Sequence, residues 1–383
     1  MDIHKKFVDY VPMPEPVSSD YYIACHYFPG WNVRKNGASG FSKIVDFPER
    51  TPLIGYYDEA DPEVADWEIK WAVEHGINCF IYCWYRRWDN MGKPLDESAL
   101  SLAHQLDALE YAKYKNMIDF AIMWECDNAA SAEDENDLLN NLLPFWVENY
   151  FSKPNYQKID NKPVLYVYDW SFKVVKQFGG AKKLKRALNA LRKEIKKYGF
   201  DGIILQVEYR YDDKEVLQMY KDAGFDNTFS YCWHTEERMP TQEEIIARQE
   251  YLMQNHLEFD PDFTMLTCSQ SWDPYPWHRT REDRIQKITR WKLTPNNWRK
   301  LLEKVKAMAE GMPESALGKR LIIMDNWNEW GEGHYIAPHL SGGFKYLQAI
   351  REVFTNRDNL PDYRLPQELG LGPYDKNIDL EAD

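Results

Sequence analysis

Residues 55–85 read GYYDEADPEVADWEIKWAVEHGINCFIYCWY. The first part of this stretch, 64–75, repeats apolar residues at helical spacing. Gly76 and Asn78 then punctuate it, and 78–84 is a short run that is apolar on both faces. Such a run belongs in a buried parallel sheet, because a half-exposed strand would alternate with polar residues. The same pairing recurs along the chain. Short apolar runs at 21–28, 78–84, 118–124, 163–168, 202–207, 227–231, 263–269 and 320–327 alternate with helical periods at 64–75, 98–115, 134–150, 181–198, 214–222, 241–255, 294–310 and 344–354. Most of the runs are bounded by Gly, Pro, Asn or Asp. Eight strands alternating with eight helices predict an α/β protein of the (β/α)8 TIM-barrel class with enlarged βα loops. An open doubly wound sheet would normally carry a phosphate loop, and neither GxGxxG nor GxxxxGK[ST] is present. No linker or composition shift divides the chain. The sequence therefore predicts one barrel over 21–355. An extension with three prolines precedes it over 1–20, and a polar, acidic tail follows over 356–383.

Composition narrows the function. The 383 residues carry 47 Lys+Arg against 61 Asp+Glu, a formal net charge of -14. A nucleic-acid binder presents a basic patch, and the one lysine-rich run, 182–197, alternates with leucines as the solvated face of a helix does. No stretch reaches the ~18 apolar residues a transmembrane helix needs, so no membrane insertion is expected. The opening MDIHKKFVDY lacks the apolar core of a signal peptide. Five of the six cysteines sit in apolar runs and no CxxC pair occurs, as expected for reduced core thiols in a cytoplasmic protein. The aromatic share is high: 15 Trp and 25 Tyr in a chain that is 15% aromatic. Flat rings with a polar edge suit the C–H faces of sugars.

A TIM barrel builds its active site at the C-terminal ends of its strands. The residues just past each run therefore form the candidate site: His26 and Tyr27; Trp84, Tyr85 and Arg86; Trp124, Glu125 and Asp127; Asp169 and Trp170; Glu208 and Tyr209; Tyr231, Trp233 and His234; Ser271, Trp272 and Asp273; and finally Asn328, Glu329, Trp330, Glu332 and His334. Nearly every end offers a carboxylate, an aromatic ring or both, which is the equipment of a sugar site. The densest signal is NWNEWGEGHY at 326–335. Glu329 and Glu332 are three apart and can share one side of a helical turn. Close carboxylates do not ionise independently, so one can hold a proton while the other stays charged. A helix N-terminus stabilised by Glu is the structural alternative. Glu125 is either a hydroxyl-positioning group or the partner of Arg86 or Arg87. His334, His339 and Glu332 contain no HExxH pattern, so no metal and no cofactor are expected. Contact of His334 with sugar is the preferred reading. Tyr27, Trp84, Trp124 and Trp272 are candidates to stack on sugar rings. His26, Asp169, Glu208, Tyr231, Asp273 and Asn328 complete the expected substrate-binding set.

NEWGEGH at 328–334 resembles the catalytic segment of glycoside hydrolase family 99 and of the related WbsX-like group. The likeness extends over IACHYFPGW at 23–31, the stretch at 55–85, YFSKPNYQKIDNKPVLYVYD at 150–169, SWDPYPW at 271–277 and NWNEWGEGHYIAPH at 326–339. It implies a retaining α-glycosidase of the endo-α-mannosidase superfamily. In that chemistry the first glutamate deprotonates the sugar's own 2-hydroxyl, which displaces the leaving group and forms a 1,2-anhydro sugar. The second glutamate protonates the leaving oxygen and then activates water. Carried over, Glu329 is the base and Glu332 the acid/base. The chain departs from the family at Gly331, where those enzymes often have His, and at Ala337, where relatives often have Glu.

The first functional expectation is thus hydrolysis of an α-linked oligosaccharide or polysaccharide, such as an α-mannoside or a bacterial surface glycan. A glycosyltransferase of polysaccharide biosynthesis and a non-catalytic carbohydrate-binding barrel are the alternatives. The transferase is disfavoured by the absence of a Gly-rich phosphate loop, and the binding barrel by the presence of two glutamates that binding alone does not require.

Overall fold

The computed structural model describes residues 10–32, 40–372 and Tyr374. Residues 1–9 of the expected extension and 375–383 of the expected tail lie outside the described residues. Eight strands form one parallel sheet: β1 (Tyr22–Tyr27), β2 (Cys79–Arg86), β3 (Asp119–Glu125), β4 (Lys162–Tyr168), β5 (Ile204–Glu208), β6 (Asn227–Phe229), β7 (Leu266–Thr267) and β8 (Leu321–Asn326). Each pairs with its neighbour in the order β6-β5-β4-β3-β2-β1-β8-β7. The ends of that order meet through one parallel bridge, Thr228 to Thr264, and the Met265 N–H donates to Thr228 O at 2.8 Å. The sheet is thus a TIM barrel, nearly closed by ladder bonds and completed by side chains. The Ser230 N–H donates to Thr267 Oγ1 and the Trp233 N–H to Ser269 Oγ. These hydroxyls take the place of ladder carbonyls, which is why β6 and β7 are shorter than the apolar runs that announce them.

Eight helices follow the strands: α1 (Pro62–Val73), α2 (His104–Tyr111), α3 (residues 135–151), α4 (Ala181–Glu194), α5 (Lys214–Asp222), α6 (Gln242–Phe259), α7 (Pro295–Gly311) and α8 (Lys345–Phe354). Local chemistry explains their starts. Asp61 caps α1 by accepting from the Glu63 N–H, with Pro62 at the first position. Thr241 and Glu244 form a capping box on α6. Within α3, Leu138–Leu142 and Val147–Phe151 are π-helical. The helix expected over 98–115 is shorter. Leu100 and Ser101 instead pair antiparallel with Arg86 and Tyr85, and Leu102 then takes a left-handed φ of 57°, which a helix cannot include.

The chain before β1 packs on the barrel wall. Val11 and Val17 are buried, and Ser19 Oγ donates to Phe354 O at 2.6 Å. After α8, Leu369 is buried and the Tyr374 hydroxyl accepts from Trp67 Nε1 at 2.8 Å. All six cysteines are buried thiols. Among the described residues, no helix is long and apolar enough to cross a membrane.

One buried ion pair fastens β2 to α3. Arg86 donates from Nη1 and Nη2 to the two carboxylate oxygens of Asp137 at 2.7 and 2.9 Å, and both side chains are almost wholly enclosed. Arg87 pairs with Asp89 on the surface instead, so neither arginine serves Glu125. Removing one partner leaves a charge buried without compensation. Asp137→Ala is therefore expected to cost about 3–5 kcal/mol of stability, measured by urea unfolding, while Asp89→Ala leaves the midpoint where it was.

Candidate active site

The C-terminal end of β8 supplies the centre of the site. Asp325 is wholly buried. Its Oδ2 accepts from the backbone N–H groups of Gln270 and Ser271 beyond β7, and its Oδ1 accepts from the Asn326 N–H at 2.8 Å. The same Oδ1 lies 2.7 Å from Nδ1 of His334, whose Nε2 is 3.0 Å from Glu332 Oε2. The order is carboxylate, imidazole, carboxylate. Burial alone would strip the His334 proton, but the two carboxylates outweigh it and push the imidazole up to about 10. At neutral pH His334 is an imidazolium that donates from both nitrogens.

The segment from Glu329 to His334 is not the helical turn the spacing allowed. It is a loop closed by an antiparallel bridge between Glu329 and His334, with Gly333 at φ 76°. The helix N-terminus reading falls with it. Glu329 folds back to accept from the Gly331 and Glu332 N–H groups at 3.1 and 3.2 Å. Burial is the main force raising its carboxyl above the ordinary range, and the nearby charge of Glu332 adds to it. His334 and the two backbone bonds pull the other way. Glu332 is partly exposed.

Three anchors hold the loop. Arg50, buried, donates to the carbonyls of Trp330, Gly331 and Asp273. Trp327 Nε1 donates to Glu68, and Asn328 Nδ2 to Glu59 at 2.7 Å. Burial, with the Glu59 charge, pushes the Glu68 carboxyl up to about 8, against hydrogen bonds from Tyr27, Trp327 and Tyr57. Gly331 is required by space. A Cβ there would lie 2.1 Å from the Trp277 ring, so the indole fills the room a His at this position would need.

Glu329 and Glu332 line one cavity of roughly 260 Å3 together with Phe28, Cys83, Tyr85, Leu102, Met123, Glu125, Asn128, Tyr168 and Tyr231. Of the sequence-derived candidates, it gathers Tyr85, Glu125, Tyr231, Glu329 and Glu332. Glu125 accepts from the N–H groups of Asp127 and Asn128 and from Asn128 Nδ2. Burial raises its carboxyl, opposed by those bonds. The Tyr231 hydroxyl accepts from Asn326 Nδ2.

The other candidates lie elsewhere, mostly for one reason. Successive strand side chains point to opposite faces. Met123 and Glu125 face the cavity, so Trp124 faces outward, against Trp146 of α3. Cys83 and Tyr85 face in, so Trp84 faces out and donates to Tyr150. Tyr27 likewise donates outward to Glu68. His26 points into the barrel below the cavity, near the Ser230 carbonyl and the Tyr231 ring. Burial strips its proton, bringing its pKa down to about 3. Asp169 is buried and accepts from the Val174 N–H; burial pushes its carboxyl up to about 8. Glu208 is buried behind Arg210. Asn328 is engaged with Phe28 and Glu59. Asp273 pairs with Arg290 and Arg50. Trp272 lines the neighbouring cavity. His334 is enclosed with both nitrogens bonded, so it has no nitrogen left for a sugar hydroxyl. The sequence reading missed Tyr168, Met123, Cys83, Phe28, Leu102 and Asn128, and it left Tyr85 out of the substrate set. Counting alternate positions back from Glu125 would have found Met123.

Residues 28–350 match the protein family described as Glycosyltransferase WbsX. Proteins named WxcX from two strains of Xanthomonas campestris pv. campestris are 22% identical over 336 residues, which cover 79% of this chain. The match spans 43% of those relatives, less than half their length. Among solved structures, the GH99 endo-α-mannosidase of Bacteroides thetaiotaomicron aligns over 87% of this chain and 95% of its own, at a TM-score of 0.57 and 15% identity. A glycoside hydrolase-like protein aligns over 92% and 99%, at 0.61 and 14%. These likenesses establish the fold.

The imidazolium assignment has a direct check. A 15N titration of the histidine rings should show His334 losing its proton near pH 10, with a lower midpoint in Glu332→Gln. A midpoint near the ordinary value of about 6.5 contradicts the assignment. Because the folded state holds the proton more tightly than the unfolded one, the stability this group adds is complete below about pH 6.5. It is lost as the pH rises toward 10.

Proposed function

The chain belongs to the family described as Glycosyltransferase WbsX, and from that premise we propose that it is a glycan-active barrel that cleaves an α-linked oligosaccharide or polysaccharide with retention. The observation that carries this reading is the pair Glu329 and Glu332 on the wall of one cavity, beside Glu125, Tyr85, Tyr168 and Tyr231. Two carboxylates with aromatic and phenolic walls are what glycosidic bond cleavage uses.

In this scheme Glu329 takes the proton of the sugar's 2-hydroxyl. The freed oxygen attacks the anomeric carbon as the glycosidic bond breaks, leaving a 1,2-anhydro sugar. Glu332 delivers a proton to the departing oxygen. Water then opens the anhydro ring, with Glu332 taking the water's proton and Glu329 returning its own to the 2-oxygen. The raised carboxyl of Glu329 makes it a stronger base once ionised. The proton for Glu332 comes from the His334 imidazolium along their 3.0 Å contact. Glu125 holds a sugar hydroxyl, since its remaining lone pairs border the cavity. An α-mannoside and a bacterial surface glycan are the substrates to try first.

The family's description favours a second reading, transfer from an activated sugar. The two separate cleanly, because a transferase binds a nucleoside diphosphate saturably and a hydrolase releases reducing ends into water. Glu332→Gln should lower kcat by about 10²–10⁴-fold while glycan binding, followed by tryptophan fluorescence, is unchanged. Full turnover by that variant removes Glu332 from the role given to it here.

A further inference from the structure

A second cavity, of roughly 430 Å3, adjoins the first; Asn128 and Tyr168 line both. Its walls are aromatic, and Trp170 stands 44% exposed on its edge. A large indole left in solvent beside a glycan cleft has the shape of a stacking platform. Its charged side chains are basic. Arg210 and Lys287 line the cavity with His234 and His278, and no Asp or Glu is among the lining residues. In a chain with 61 acidic side chains against 47 basic ones, that is a local inversion of charge.

Arg210 is set in place. Its Nε donates to the buried Glu208 at 2.6 Å and its Nη2 to the Tyr168 hydroxyl at 3.0 Å. Nη1 has no hydrogen-bond partner among the described residues. Glu208 balances the guanidinium charge but lies wholly behind it. Lys287 is exposed and makes no ion pair among the described residues. A guanidinium fixed from behind and a free ammonium, facing one cavity, fit an anion carried on a sugar ring.

We propose that this cavity is a subsite for an acidic sugar residue, whose anionic group meets Arg210 and Lys287 while its ring lies on Trp170. The inference rests on the glutamate cavity being the site of glycan chemistry, since the shared wall then places the acidic residue next to the bond acted upon. The substrate class becomes an anionic glycan.

The test uses methyl α-D-glucuronide and methyl α-D-glucoside as matched probes, titrated into the whole protein at low salt by calorimetry. The uronide is expected to bind about tenfold more tightly than the glucoside. Added salt and Lys287→Gln should each weaken it, and Trp170→Ala should weaken both probes. Lys287 and Trp170 are exposed, so these variants fold. Arg210 is left intact because its removal would strand Glu208. Equal binding of the two probes, no uronide binding, or uronide binding indifferent to Lys287→Gln overturns the inference and leaves the reading of the glutamates standing. UDP that occupies the cavity in preference to the uronide also overturns it, by assigning the cations to a diphosphate. Uronide binding without turnover of any acidic glycan upholds the inference and removes the hydrolase reading.

Discussion

The arrangement depends on one buried carboxylate. Asp325 sits at the end of β8 with no access to water, and an ion there is costly unless it is surrounded by donors. It collects three backbone N–H groups and an imidazolium. Two of those amides belong to the segment after β7, one to β8 itself, and the imidazole to the far end of the loop. A single side chain thereby fixes the mutual position of two barrel strands and the segment that bears both glutamates. His334 is cationic because of Asp325, and Glu332 is oriented because of His334. The proton inventory of the cavity is set two residues away from any group that faces it.

The outer half of the loop is held by different means. Trp327 and Asn328 reach away from the cavity to Glu68 and Glu59, which α1 and the segment before it supply. Arg50 stitches three carbonyls from two loops. These are buried polar contacts, each expensive to leave unmade. They explain why the stretch 55–85 is so rich in acids and rings: much of it is the scaffold for a loop more than two hundred residues later.

The barrel was legible because buried parallel strands leave continuous apolar runs, and all eight runs became strands in the expected order. That Glu125, Tyr231, Glu329 and Glu332 line one cavity was legible because each stands at or just past the C-terminal end of a strand. Strand parity was the information left unused. Trp124 precedes Glu125 and Tyr27 follows His26, so the members of each pair must face opposite ways; choosing by residue type alone admitted both. His334 was misread for another reason. Its partner Asp325 lies inside an apolar run, where sequence gives no hint that a charge is waiting, and only the fold brings the two together. The short helix after β2 followed from a left-handed Leu102 that no propensity announces.

The contact of Gly331 with Trp277 has a historical consequence. The bare backbone at 331 and the indole at 277 compete for one volume, so position 331 cannot enlarge while the indole stays. A lineage moving between this loop and one bearing histidine must shrink the ring first and enlarge the glycine afterwards, because the reverse order passes through a collision. The order of those two steps is therefore dictated by geometry, and the two loops should be inherited as a matched set.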